Sequence, residues 1–136
     1  MAAGRYLLTI EQGATTDLLL EYKDSNGNPV DLTGHAARMQ IRPSVDSSTI
    51  YLSLTQVTGS DGTGLNLAPM SGSVTLPQTS GSIGLFISAA SSSALNFTEG
   101  VYDIELNSPG GIVTRLLEGI VKLSKEVTRW TMTDLG

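Results

Sequence analysis

The chain has 136 residues, no cysteine, and a formal net charge of −5 at pH 7. This length suits one domain with a single core, and the lack of cysteine excludes disulfide bonds. The negative charge disfavours binding to the phosphate backbone of nucleic acid, and neither an apolar run of about eighteen residues nor a signal-peptide pattern predicts membrane insertion or export.

Serine and threonine together make up 31 of the 136 residues. Short apolar runs are separated by turn residues at intervals of about ten, which is typical of sandwiches and barrels. We therefore predict an all-β, immunoglobulin-like antiparallel β-sandwich.

The first two predicted strands cover residues 5–11 and 15–22, with a bend at residues 12–14. Three consecutive leucines in the second strand, Leu18, Leu19 and Leu20, predict that both of its faces are at least partly covered. A turn rich in Asn and Gly follows at residues 24–29.

The clearest alternation lies at residues 35–43, where Ala37, Met39 and Ile41 face the core and Arg38 and its polar neighbours face water. Residues 50–55 also alternate and predict a half-buried strand. Two further short strands are expected at residues 65–67 and 74–76, within a stretch rich in loops.

Residues 82–87 predict another strand, and Ser88 then caps one short helix near residues 88–95. Residues 100–107 and 112–127 predict a hairpin that closes the domain. Because a glycine within a strand often marks a bulge or bend, Gly119 is expected to split the return arm into two pieces, at an angle or in different sheets. The sandwich domain is predicted over residues 1–129, followed by a C-terminal tail at residues 130–136.

No catalytic motif is recognisable in the sequence. The single histidine, His35, is expected at a strand end without a catalytic role, and neither a nucleophile motif nor a phosphate-binding glycine loop occurs. The acids Asp24 and Asp31 flank a glycine turn, but their spacing is not that of a calcium-binding loop. We therefore predict a protein that is not an enzyme and needs no cofactor, metal or small-molecule substrate.

Asp103 and Glu105 alternate on one predicted strand face. Paired carboxylates can hydrolyse glycosidic bonds when about 5 to 10 Å apart, but no aromatic sugar platform accompanies these two. A solvated strand face is the preferred interpretation.

The interface candidates lie near the C-terminus and are Arg115, Arg129, Trp130, Met132 and Leu135. The two arginines pair with nearby glutamates either within the chain or across a subunit boundary. The apolar tail either contacts another chain or folds back over its own sandwich.

Five segments of the sequence carry a family resemblance: residues 8–15 (LTIEQGAT), 22–42 (YKDSNGNPVDLTGHAARMQIR), 100–106 (GVYDIEL), 113–119 (VTRLLEG) and 126–129 (EVTR). Together they resemble small β-sandwich structural proteins of tailed bacteriophages. Similar openings occur in the N-terminal attachment domains of baseplate proteins. His35 departs from the pattern, since an aromatic residue usually follows the Thr-Gly.

The resemblance implies a virion component of the tail, baseplate or fibre-attachment apparatus, made in the host cytoplasm. Its expected partners are other phage structural proteins and copies of itself, and the resemblance supplies no catalytic residues. A capsid decoration protein and, more remotely, a carbohydrate-binding accessory module are the alternatives.

Overall fold

The computed structural model describes residues 4–56 and 59–127. The strands in this part of the chain are β1 (Gly4–Arg5), β2 (Leu8–Glu11), β3 (Thr16–Glu21), β4 (Ala36–Arg42), β5 (Leu52–Thr55), β6 (Gly64–Asn66), β7 (Met70–Ser71), β8 (Val74–Thr75), β9 (Ser82–Ile87), β10 (Glu99–Asn107) and β11 (Val113–Ser124). A 3₁₀ turn (Gln78–Ser80) precedes β9, and the helix α1 (Ala89–Ser93) follows it.

These strands form two main sheets. The large sheet has the order β1-β11-β10-β4-β5, with β2 continuing along the same side of β11 as β1. The small sheet has the order β3-β9-β6, and β7 and β8 form a separate hairpin. The predicted all-β sandwich is confirmed.

The strand order matches that of immunoglobulin sandwiches, with one departure. Strands β11, β10, β4 and β5 occupy the positions G, F, C and C′, while β3, β9 and β6 occupy B, E and D. In that fold the first strand, A, lies beside B. Here β1 and β2 instead lie beside β11, and they run parallel to it although the other pairings are antiparallel.

Side chains from both sheets pack into one apolar core. Met39, Ile41 and Ile104 from the large sheet and Ile83 and Leu85 from the small sheet are each no more than 1% exposed. Full burial of such a side chain contributes about 1.5 to 3 kcal/mol to folding. The alternation predicted from residue 35 onwards is therefore confirmed in β4.

The predicted short helix is also present. Helix α1 begins after Ser88, whose hydroxyl oxygen accepts a hydrogen bond from the Ser91 backbone N–H. The first predicted strand, by contrast, is interrupted at Tyr6 and Leu7, which separate β1 from β2.

The prediction that Gly119 splits the return arm is wrong. Strand β11 runs through Gly119 within one sheet, and its register shift lies further back, opposite Ile104 and Glu105. Glycine is needed at position 119 for a different reason, because a Cβ there would collide with the carbonyl oxygen of Tyr6. Glycine thus allows the first strands to pass directly against β11.

Tyr102 fixes the same contact from β10. Its hydroxyl donates a hydrogen bond of 2.7 Å to the Tyr6 carbonyl oxygen, and the Tyr6 N–H donates to the Glu118 carbonyl at 3.1 Å. Burial, with a smaller contribution from Tyr6, raises the pKa of Tyr102 to about 12. Tyr102 therefore stays protonated and able to donate at physiological pH.

We predict that Gly119→Ala destabilises the fold by about 3 kcal/mol, because the new methyl group must displace the Tyr6 backbone. Gly110→Ala is the matched control, since a Cβ there would meet no atom closer than 3.9 Å. Urea unfolding of both variants measures the difference. Equal free energies of unfolding would contradict the role assigned to Gly119.

Candidate docking face

The outer face of the large sheet contains a shallow depression of about 670 Å³. Successive side chains of a strand point to opposite faces, so the residues that alternate with the core positions of β4, β10 and β11 line it. Its charged lining consists of four arginines (Arg5, Arg38, Arg42 and Arg115) and three carboxylates (Asp103, Glu105 and Glu118). We call this surface the docking face.

The docking face is unusual for an acidic chain. The sequence has five arginines, and four of them line this one depression. The charged groups of the face sum to +1, from four positive and three negative side chains, whereas the whole chain carries −5. The face therefore differs electrostatically from the rest of the molecule.

Cross-strand pairing organises these charges into a network. Arg115 lies 3.4 Å from Asp103 and 3.5 Å from Glu118, and Arg5 lies 4.0 Å from Glu118. Arg38 lies 3.4 Å from Glu105, directly across from it in the β4–β10 ladder. Each pair is partly exposed and contributes at most about 1 kcal/mol, so the network orients side chains more than it stabilises the fold.

The carboxylates repel one another at the centre of the face. Asp103 pairs across the ladder with Glu118, and Glu105 lies two residues along the same strand. Desolvation and then the repulsion of Glu105 raise the pKa of Asp103, while Arg115 opposes this rise. Arg115 thus partly offsets the rise in the pKa of Asp103.

Arg42 is held differently from the other three arginines. Its guanidinium donates to the Ser47 carbonyl at 2.7 Å and to the side-chain oxygen of Gln40 at 2.8 Å. None of the ion pairs formed by the described residues includes Arg42. Its guanidinium is therefore held in place by neutral acceptors and not by a carboxylate of the described residues.

A smaller and more apolar depression, of about 190 Å³, adjoins the docking face. Ala36, Leu106 and Val113 contribute to its lining, and Arg38 and Glu105 line both depressions. Val113 is 53% exposed. A partner surface would therefore meet an apolar hollow and a charged network side by side.

A second polar cluster, centred on Asp61, is structural. The Asp61 carboxylate accepts hydrogen bonds from the Ser88 and Ser91 hydroxyls and from the Thr63 backbone N–H. These bonds, that from Ser88 first, lower the pKa of Asp61 well below its usual range. They join the loop before β6 to the start of α1.

Of the five predicted interface residues, Arg115 lies within the described part of the chain. Arg115 lies on the docking face and forms intrachain pairs, as one of the two interpretations expected, while its interface role stays a prediction. Arg129, Trp130, Met132 and Leu135 lie outside the described residues.

Sequence reasoning missed Arg5, Arg38 and Arg42 as members of a site. The polar face of β4 was visible as an alternation, but its partners across the sheet were not. Asp103 and Glu105 lie on the outer face of the large sheet, as expected, and they are partly buried there within the ion-pair network.

No protein-family model matches the chain, and no curated protein matches its sequence. Among residues 4–56 and 59–127, no group of three or more His, Asp or Glu side chains is arranged to hold a metal ion. The same residues include no helix long and apolar enough to cross a membrane.

We predict that Arg115→Gln raises the pKa of Asp103 further, that Arg38→Gln raises it less, and that Lys122→Gln leaves it unchanged. Carbon-13 NMR titration of the Asp103 carboxyl group measures all three. Because a raised carboxyl pKa means that the folded state holds the proton more tightly, stability falls as pH rises through that pKa, and it should fall further in Arg115→Gln. An unshifted Asp103 pKa in that variant would contradict the network.

Proposed function

We propose that this chain is a non-enzymatic structural protein of a tailed-bacteriophage virion, located in the tail, baseplate or fibre-attachment apparatus, and that it works by docking to other proteins. The observation that carries the docking role is the gathering of four arginines and three carboxylates on one sheet face. The sequence resemblance described above supports the location.

The chemistry of the docking face suits protein recognition. Arginine is enriched at protein interfaces, and its planar guanidinium forms paired hydrogen bonds with carboxylates. Complementary charges fix the register of two partners and reject wrong ones. Because the face is built on hydrogen-bonded strands, little conformational freedom is lost on binding.

Repetition around a symmetric particle would strengthen a modest contact. Once one subunit is attached, its neighbours bind at a high effective concentration, so the overall affinity exceeds that of each contact. A single docking face per subunit is then sufficient for stable assembly.

The carbohydrate-binding alternative needs aromatic rings that lie flat in solvent. Phe97 and Tyr102 are buried, and Tyr51 stacks on Phe97 with ring centroids 4.5 Å apart. These three rings serve the core, which favours the docking role over sugar binding.

We predict that the wild-type chain, produced with a tag during phage growth, is recovered with purified particles. Arg42→Glu should lower that recovery at least about tenfold, as expected for a lost interface arginine worth more than about 1.4 kcal/mol. Lys23→Glu, which makes the same charge change in the turn after β3, should be recovered like the wild type.

Electron microscopy of the labelled particles separates the tail from the capsid. Label on the tail or baseplate supports the proposal, and label on the capsid supports the decoration alternative. Absence of the wild-type chain from particles would overturn the virion role, and normal recovery of Arg42→Glu would overturn the role of the docking face. Thermal unfolding of each variant verifies that it is folded.

A further inference from the structure

The small sheet has an open side at β3. Strand β3 pairs with β9, and no other described strand lies beside it. At six residues it is the longest edge strand of the two main sheets, compared with four in β5 and three in β6. In immunoglobulin sandwiches the first strand occupies this side, whereas here β1 and β2 lie beside β11.

The core is incompletely covered at this edge. Leu18 and Leu20 point towards the core but are only half-buried, and Leu19 on the outer face is 47% exposed. Their partners on the neighbouring strand, Ile83 and Leu85, are no more than 1% exposed. An additional strand beside β3 would cover the leucines and satisfy the free backbone groups.

The chain leaves the domain near the start of β3. Beyond β11, the Glu126 N–H donates to the side chain of Gln12, in the bend that leads into β3. Val127, the last described residue, is 93% exposed. Nine residues follow it, and seven of them in extended form would span about 23 Å, slightly more than β3 itself.

The sequence of this last segment has the pattern of an edge strand. In residues 128–134 (TRWTMTD), Trp130 and Met132 alternate with Arg129, Thr131 and Thr133. Trp and Thr favour strands, and alternation places Trp130 and Met132 on one face, with Thr128 and Asp134 at its two ends, and Arg129 on the other face. With the apolar pair against Leu18 and Leu20, Arg129 would share the outer face with the exposed acids Asp17 and Glu21.

We propose that residues 128–134 of one copy add as a strand to the open edge of β3 in a second copy. This goes beyond the proposed function, because it names a different surface and a specific partner. The proposed contact needs only copies of this chain, so it can be tested with the purified protein alone.

A neighbouring copy fits this edge better than the chain's own tail. Because Glu126 lies beside Gln12, in the bend before β3, a strand formed along β3 by the chain's own tail would run parallel to it. A neighbour's tail can run antiparallel, which is the slightly more stable pairing per residue.

The contact joins two different surfaces, so it repeats from copy to copy. Such head-to-tail contacts close into a ring when the rotation between copies allows it, and otherwise form a filament. The charges of Asp17 and Glu21 would discourage pairing of two β3 edges with each other, while favouring a strand that carries arginine.

The test uses two full-length variants, each lacking one half of the contact. The blocked-donor variant carries Thr131→Pro with Met132→Pro in the tail, since consecutive prolines remove an N–H on each side of the strand. The blocked-acceptor variant carries Leu20→Lys in β3, which introduces an inward-pointing charge of the kind that prevents pairing at edge strands. The matched controls are Thr131→Ala with Met132→Leu, and Val74→Lys, at an exposed apolar residue of the separate β7–β8 hairpin.

Analytical ultracentrifugation over a range of concentrations is the measurement. The wild type and both controls should form oligomers, while each blocked variant alone should sediment as a 14.3 kDa monomer. Mixing the two blocked variants should give a one-to-one heterodimer that grows no further, because that mixture contains one intact donor and one intact acceptor. Arg42→Glu should oligomerise like the wild type.

A wild type that stays monomeric at every concentration would overturn the proposal, as would blocked variants that fail to pair when mixed. If Leu20→Lys does not fold, a peptide of residues 127–136 replaces it as the donor. That peptide should bind the blocked-donor variant, whose β3 edge is intact, and the peptide with both prolines should not. Equal binding of the two peptides would also overturn the proposal. Self-association and recovery with particles are separate measurements, so either can fail without the other.

Discussion

The close approach of the Tyr6 backbone to Gly119 decides how strands are shared between the two sheets. Because position 119 has no side chain, the first strands can lie against β11, where the hydroxyl of Tyr102 holds them. In immunoglobulin sandwiches the first strand lies beside the position that β3 occupies here, whereas in this chain it belongs to the large sheet. The closed edge beside β11 and the open edge of β3 thus both follow from where the first strands lie.

The docking face depends on the same large sheet. Six of its seven charges sit on β4, β10 and β11, which are paired on both sides, so Arg115 meets Asp103 and Glu118 in a fixed geometry. Partial burial of these groups raises the pKa of Asp103, and the repulsion of Glu105 adds to that rise. In the docking role that we propose, a mixed network of this kind would select a partner of matching charge pattern, whereas a uniformly basic patch would attract any anion.

Local patterns allowed much of the fold to be predicted from the sequence. The alternation around Met39 and the cap at Ser88 depend on neighbouring residues, and both identified their elements correctly. The docking face could not be predicted, because the pairing of Arg38 with Glu105 depends on the register between distant strands. The role of Gly119 was predicted wrongly for a similar reason. A glycine allows either a local bend or the close approach of a distant segment, and the sequence pattern does not distinguish the two.

The parallel pairing of β2 with β11 also determines how the domain carries mechanical load. Tension between the two chain ends would pull these neighbouring strands in opposite directions along their length. The hydrogen bonds between them would then be strained together rather than opened one at a time, which makes a ladder hard to separate. A subunit anchored at one terminus and pulled at the other would therefore resist extension through the same strands that determine its fold.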